Sequence, residues 1–406
     1  MNPIRLAVIF DQQIRAGGGY QQALNAALLT RKLPRTLVEL SFFTTLEENV
    51  AALATHGINA RILKLTFFAR VKLYLRSGIS SSRLLAVVKK IERYSPLEKE
   101  LLKQKVDLVY FLSPSNWAQS LENLNYITTV WDLCHRDDLE FPEVRWNREF
   151  EARERSYRSI LPRATAVFVD SELGQINVAR RYGVDPERIH VIPFQAAEVT
   201  RREFKSGVKD EVNVRSKYQL DVPYVFYPAQ FWAHKNHVYL LEGLHTLNQK
   251  YGKRIGVIFS GGDQGNKFYV QKHVAALGLT DLVRFAGFVT NEEIIALYRQ
   301  SIALVMPTYF GPTNLPPLEA FQLRVPVLYS DKEGLRDQVG DAALLMDLNN
   351  PGSLALHLKN LVEDVQLRER LIAAGIERLK YFDAYGRADV MRKVIENFRW
   401  RRLSWE

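Results

Sequence analysis

The feature that most limits the fold is a rhythm. Short runs rich in Val, Ile, Phe and Tyr alternate with longer stretches of helical period, a pattern that predicts parallel sheets flanked by helices. In the first half the strand candidates are IRLAVIF (4–10), LVELSFFT (37–44), VDLVYFL (106–112), NYITTVWD (125–132), TAVFVDS (165–171) and IHVIPF (189–194). Between the last two, ELGQINVARRYGV reads as a short helix stopped by a glycine. The stretch 195–222 turns polar and charged without a clear strand and reads as a linker plus a peripheral helix. A second set follows: YVFYPA (224–229), IGVIFSG (255–261), VRFAGFV (283–289), IALVMPT (302–308), VPVLYSD (325–331) and AALLMD (342–347).

A chain of 406 residues exceeds a single core of ordinary size. The expected architecture is α/β, with two Rossmann-like domains facing each other across a cleft. The expected boundaries are 1–200 for the first domain and 201–385 for the second, with a basic amphipathic helix in 386–406. One cysteine, Cys134, excludes an intramolecular disulfide and fits a reducing compartment. No stretch reaches about 18 uninterrupted apolar residues, so no spanning helix is expected. The expected location is the cytoplasm.

The net charge of +10 favours anionic partners such as nucleotides, phosphorylated lipids or an anionic leaflet. Part of it is concentrated in 67–94, where Phe67, Phe68 and Tyr74 mix with Arg70, Lys72 and Arg76. Two amphipathic helices with solvated basic faces explain this stretch, and so does a surface lying on an anionic membrane. Charge alone would also admit nucleic acid, but groove-reading and base-stacking motifs are absent from the sequence.

In open α/β sheets ligands sit beyond the carboxyl ends of the strands, so the loops after each strand carry the functional information. After the first strand, Gly17, Gly18 and Gly19 precede a helix, where bare backbone amides can meet an oxyanion. A flexible turn explains them equally well. The stretch TTVWDLCHRDD gathers Trp131, Asp132 and His135 after a strand. His135 suits proton transfer or donation to a sugar hydroxyl, or else a structural hydrogen bond. Metal-ligand spacings are missing from the sequence, and no metal site is expected. After YVFYPA come Gln230 and Lys235, with Lys235 just before a helix. Cations are disfavoured there by the helix dipole, so Lys235 suits an anion held by ammonium and helix amides together, though an exposed lysine remains the plain alternative.

The last loop, GPTNLPPLE (311–319), contains two adjacent prolines. Residues before proline are pushed away from the α region, so the expected helix starts at Pro317 with Pro316 as N-cap and Glu319 at N3. An N3 glutamate normally reaches back to the N-cap N–H, which Pro316 lacks. Glu319 is therefore a candidate for holding a ligand, beside the short polar side chains of Thr313 and Asn314.

PTYFGPTNLPPLEAFQLRVPVLYSD resembles the donor-site segment of retaining glycosyltransferases of family 4, which have the GT-B fold. YPAQFWAHKNH resembles that family's basic loop and GGGYQQALNAALL its amino-terminal glycine loop, while ATAVFVDSELGQINVARRYGVDPERIHVIPF and VRFAGFVTNEEIIALYRQSIALVMPT are similar to its connecting segments, in the same order. The resemblance implies that Glu319 binds the ribose hydroxyls of a nucleotide sugar and that Lys235 holds its diphosphate. Thr313, Asn314 and Leu315 match the stretch contacting phosphate and sugar. Gly18 and Gly19 match the loop that approaches the diphosphate, and Phe288 and Val289 fall where the nucleobase is met. Asp132 and His135 would face the acceptor. The C-terminal helix, 388–403, matches one that crosses back onto the first domain. The pattern departs in three places. Gly311 stands where many members carry the first of two glutamates, giving an FGPTN donor loop. Gln230 stands near the place of an arginine, and Trp131 takes a position often held by histidine.

The implied activity is transfer of a sugar, mannose or rhamnose, from a nucleotide diphosphate donor to a glycan or lipid-linked glycan acceptor, with retention and without a metal or other cofactor. Lys235, Glu319 and His135 would be its catalytic residues. The expected setting is surface polysaccharide synthesis, O-antigen or capsule, at the inner face of the membrane. A GT-B epimerase, a glycogen-synthase-like polymerase and a non-catalytic nucleotide-sugar or glycan binder keep the same architecture and remain open.

Overall fold

The computed structural model describes residues 2–13, 18–63, 94–198, 200–201 and 213–405. The basic stretch 67–93, with Arg70, Lys72 and Arg76, lies outside the described residues, as does Gly17. The chain divides into two compact units. The first comprises Met1–Leu133, Phe150–Pro193 and Tyr385–Glu406, the second Cys134–Glu149 and Phe194–Ala384. Sixteen residues that stand in the first half of the sequence thus cluster with the second unit.

The sheet of the first unit contains β1 (Ile4–Phe10), β2 (Val38–Thr44), β3 (Ala60–Ile62), β4 (Leu108–Phe111), β5 (Asn125–Val130), β6 (Ala166–Val169) and β7 (Ile189–Val191). They are ordered β3-β2-β1-β4-β5-β6-β7, and every pairing is parallel. The inner strands are apolar on both faces because helices cover both; β4 and β6 are buried at every position. Among the described residues β3 is the one strand the sequence pattern missed: three residues at the sheet edge with a charged, exposed centre carry no apolar run. The helix Glu172–Tyr182 ends as expected at Gly183, whose φ of 63° only glycine adopts cheaply. The helix Arg387–Arg402 buries Met391, Val394, Ile395 and Phe398 in the core built on β1 and β2. Its Arg402 meets Asp107 at 2.9 Å, and Arg399 donates to the Thr36 carbonyl at 3.0 Å.

The sheet of the second unit contains β8 (Tyr224–Pro228), β9 (Gly256–Ser260), β10 (Val283–Gly287), β11 (Leu304–Met306), β12 (Val327–Ser330) and β13 (Ala343–Met346). Its order is β10-β9-β8-β11-β12-β13, again all parallel. Both sheets therefore share one winding, and in each the order reverses beside the first strand: between β1 and β4, and between β8 and β11. Such reversal points open a crevice at the carboxyl ends of the strands, where ligands bind in doubly wound sheets.

Candidate functional site

In the second unit the reversal point lies between the loop after β8, which carries Gln230 and Lys235, and the loop after β11, which carries Gly311, Thr313 and Asn314. The first loop passes through a short turn, Ala233–Lys235, into the helix His237–Tyr251. Asn236 joins them with φ 53°, a left-handed value Asn tolerates, and its side chain accepts the Tyr239 N–H at 3.4 Å. Lys235 thus stands at the positive end of a fifteen-residue helix. Its carbonyl accepts from the Tyr227 hydroxyl at 2.7 Å, which fixes the backbone from within the core.

The Lys235 ammonium donates to Asn314 Oδ1 at 3.3 Å, joining the two loops. Asn314 is held on every side. Its Nδ2 donates to the Tyr329 hydroxyl at 2.7 Å and to the Phe310 carbonyl at 3.1 Å; its N–H donates to Gln338 Oε1 at 2.9 Å; its carbonyl accepts from Gln338 Nε2 at 2.6 Å. Tyr329 is fully buried and donates to Gln338 Oε1 at 3.0 Å. A cation anchored through a saturated amide network is a preorganised anion receptor, because little must reorganise when charge arrives.

The helix after this loop begins earlier than expected. It runs Leu315–Gln322 with Asn314 as N-cap, so Glu319 lies beyond the first turn rather than at N3. The penalty on residues preceding proline is outweighed here: prolines in a first turn forfeit only N–H groups that would lack helical partners, and Gln338 pins Asn314 from both sides. Asn314 makes no side-chain cap, its amide being engaged by Lys235 and Tyr329. The prolines also narrow the expected set of helix amides, since neither carries a donor.

Glu319 is buried, and Tyr298 donates to its Oε2 at 2.9 Å. Burial pushes its carboxyl above the ordinary range, opposed by the Tyr298 hydroxyl and the Ala197 amide. A buried carboxylate with so few donors is costly unless a ligand supplies more. Gln230 accepts from the Trp232 indole N–H at 3.1 Å. Phe288 is 70% exposed directly after β10, and Val289 beside it is half-buried. Gly261 and Gly262, which the sequence reading passed over, follow β9. A Cβ on Gly261 would lie 2.5 Å from the Ala229 carbonyl, and one on Gly262 3.0 Å from the Phe288 ring. Two adjacent glycines after a strand were the available signal.

At Gly311, a Cβ would lie 2.6 Å from Leu335 Cδ2, and Leu335 is 1% exposed. A glutamate side chain there is accommodated only if Leu335 moves. The segment Cys134–Glu149 packs on this loop. Cys134 Sγ donates to the Gly311 carbonyl at 2.9 Å, and Phe141 lies edge-on to Phe310 with ring centres 5.4 Å apart. Lys332 Nζ bridges Asp138 at 2.7 Å and the Tyr309 carbonyl at 2.8 Å. Glu143 Oε1 accepts from both the backbone N–H (2.9 Å) and Nδ1 of His234. Burial raises the Glu143 carboxyl, but the His234 bonds outweigh it and hold it below its ordinary value. His135 is fully buried in the short helix Cys134–Asp137, so contact with a ligand requires that helix to shift.

In the first unit, Gly18 and Gly19 form the first turn of the helix Gly18–Thr30 rather than a loop before it. A Cβ on Gly19 would sit 3.0 Å from the Trp131 indole, so a larger residue there fits only if the indole gives by a few tenths of an ångström. Asp132 accepts from Arg153 Nη2 at 2.7 Å. Sequence reasoning missed Asp11, at the reversal point between β1 and β4, which accepts from Ser113 Oγ at 2.9 Å. Burial pushes its carboxyl up to about 6 against the Ser115 and Ser113 hydrogen bonds.

Two doubly wound parallel sheets with these loops at the reversal points define the GT-B class of fold. Solved structures similar to the whole chain include a HepE protein of Anabaena in complex with UDP (14% identical, TM-score 0.67, covering 98% of this chain and all of that one) and WaaG, a glycosyltransferase involved in lipopolysaccharide biosynthesis (14%, TM-score 0.64, covering 96% and 99%). Residues 209–378, which hold the Lys235 and Asn314 loops, match the model of the family Glycosyl transferases group 1. The O-antigen chain mannosyltransferase B of Escherichia coli is 26% identical over 267 residues, 63% of this chain and 66% of that protein. Across the first eight curated relatives the matched region spans 43% to 66% of the relative's length.

Proposed function

We propose that the protein is a glycosyltransferase of group 1 that takes its sugar from a nucleoside diphosphate donor. The observation that carries this is the Lys235–Asn314 contact, which places an anchored cation between the two loops at a reversal point and at the mouth of a long helix. The family match over the same residues supports it, as does the UDP held by HepE, a protein of the same fold.

In this reading Lys235 faces the donor diphosphate, and its positive charge grows in value as the leaving group departs. Thr313, Asn314 and Leu315 line the phosphate and sugar side. Glu319 accepts from the ribose hydroxyls, which supply the donors its burial lacks. Gln230 takes the diphosphate side beside Lys235, and the backbone at Phe288 and Val289 meets the base. Gly18 and Gly19 keep the diphosphate role the resemblance assigns them, and Asp132 and His135 serve the acceptor, His135 after a shift of its short helix. No side chain is required as a nucleophile: the departing phosphate oxygen takes the proton of the acceptor hydroxyl on the same face, giving retention. Lysine and amides stand in for the charge of a divalent cation. The transferred group is a hexose, with mannose or rhamnose favoured, and Gly311 with its amide neighbours replaces the first carboxylate of the donor loop.

The acceptor is a glycan of surface polysaccharide synthesis, free or lipid-linked, reached from the cytoplasmic side. Among the described residues no helix is long and apolar enough to cross a membrane. The basic amphipathic residues of 67–94 suit a peripheral contact with an anionic leaflet. Assay of GDP-, UDP- and dTDP-sugars for turnover, with and without chelator, tests the proposal. Chelator-resistant release of one nucleoside diphosphate is expected; neither turnover nor nucleotide binding with any of them would overturn it.

A further inference from the structure

His234, which stands beside Lys235, is tightly constrained although the sequence did not single it out. Its ring stacks on Phe310 with centres 3.9 Å apart and planes 6° from parallel. Its carbonyl accepts the Tyr309 N–H at 2.9 Å. Its own N–H and Nδ1 both donate to one oxygen of Glu143. The residue therefore stitches the Lys235 loop to the loop that ends in Asn314, and Glu143 closes the stitch from a third segment. Both side chains are nearly dry, 10% and 9% exposed. Phe141, two residues before Glu143, completes the packing: it lies 5.1 Å from Tyr309, 5.4 Å from Phe310 and 6.3 Å from His234, ring centre to ring centre.

We infer that Glu143 is a positioning residue for the donor site, fixing the His234 backbone and ring so that Lys235 and the 310–314 loop are held at the spacing a diphosphate requires. This rests on the proposed function for the identity of the ligand. A carboxylate that accepts two hydrogen bonds from one residue sets both its backbone and its side-chain torsion, and the bonds are strong because the acceptor is ionised and sheltered from water. Lys235 is the next residue, so a rotation of the His234 backbone is delivered directly to the ammonium. Misplacement of a charged group by about 1 Å is enough to cost a hundredfold in a preorganised site. The Asp138–Lys332 pair holds the same segment at its other end, through the Tyr309 carbonyl, so Glu143 acts within a strap fixed at two points.

The test is calorimetric titration of the full chain with UDP, GDP and dTDP, using Glu143→Gln and Glu143→Met. Glutamine keeps an acceptor oxygen; methionine fills the same space without one. With the nucleotide that the wild type binds, Glu143→Met is expected to lose at least tenfold in affinity and Glu143→Gln to stay within threefold, with the donor KM rising and the acceptor KM unmoved. Wild-type affinity in Glu143→Met, or equal losses in both variants, overturns the inference while leaving the proposed function standing. Failure of the wild type to bind any of the three overturns both. Should Glu143→Met not fold, His234→Phe preserves the stack on Phe310 while removing Nδ1, and is expected to show the same tenfold loss; unchanged affinity there overturns the inference as well.

Discussion

Gly311→Ala isolates one steric contact at the centre of the site. The φ of Gly311 is not in the left-handed region, so the main effect of alanine comes from packing. The new methyl would lie 2.6 Å from Leu335 Cδ2 and 3.1 Å from its Cγ, well inside the roughly 3.5–4.0 Å of ordinary carbon contact. Leu335 is 1% exposed and has no solvent to swing into. Overpacking of this kind costs about 1–3 kcal/mol, and the reduced freedom of the unfolded chain returns about 0.4–1 kcal/mol. A net loss of about 1–2 kcal/mol corresponds to roughly 2–8 °C in Tm for a unit of this size. Scanning calorimetry of the wild type, Gly311→Ala, Leu335→Ala and the double variant measures it. The double variant should be more stable than the sum of the two single losses allows, because the second truncation makes room for the first. An unchanged Tm in Gly311→Ala, or strict additivity in the cycle, would refute the reasoning and reopen the site to larger residues at position 311.

Other perturbations follow from the same geometry. Glu319→Gln should raise Tm at neutral pH, because burial raises the native carboxyl: its favourable contribution is present at low pH and lost as pH rises through the raised value. The same variant should lose nucleotide affinity, so a Tm below wild type at pH 7 with binding intact would contradict both halves. Asp11→Asn should stabilise the first unit at pH 7 and have little effect below pH 3.8, the difference developing between 3.8 and about 6 as the buried carboxyl ionises; urea melts at several pH values measure it, and a pH-independent effect would rule out the buried-charge explanation.

The parallel sheets were legible because their strands are covered on both sides and leave unbroken apolar runs; β1 matches the sequence-based bounds residue for residue. β3 was not, since an edge strand of three residues needs no such run. Lys235 stood out because a cation at a helix entrance is locally unfavourable and implies a partner. Glu319 was singled out by an argument about its helix position that the structure revises: Leu315 and the two prolines are already helical, and burial beside Tyr298 is what makes the carboxylate unusual. Glu143, Tyr329 and Gln338 could not be found from the sequence. Glu143 meets His234 across 91 positions, and Gln338 meets Asn314 across 24, so only the folded chain brings them together. Asp11 was visible as the end of a strand, but its proximity to Ser113 depends on β1 and β4 being neighbours.

The central claim is that Lys235 and its amide network receive a diphosphate. Its most direct test is calorimetric titration of the wild type and Lys235→Ala with UDP, GDP and dTDP, beside the corresponding nucleosides. The account predicts that one nucleoside diphosphate binds the wild type, that its nucleoside binds much more weakly, and that Lys235→Ala loses at least tenfold, about 1.4 kcal/mol, toward the diphosphate alone. Equal affinity of Lys235→Ala and wild type for that diphosphate would contradict it.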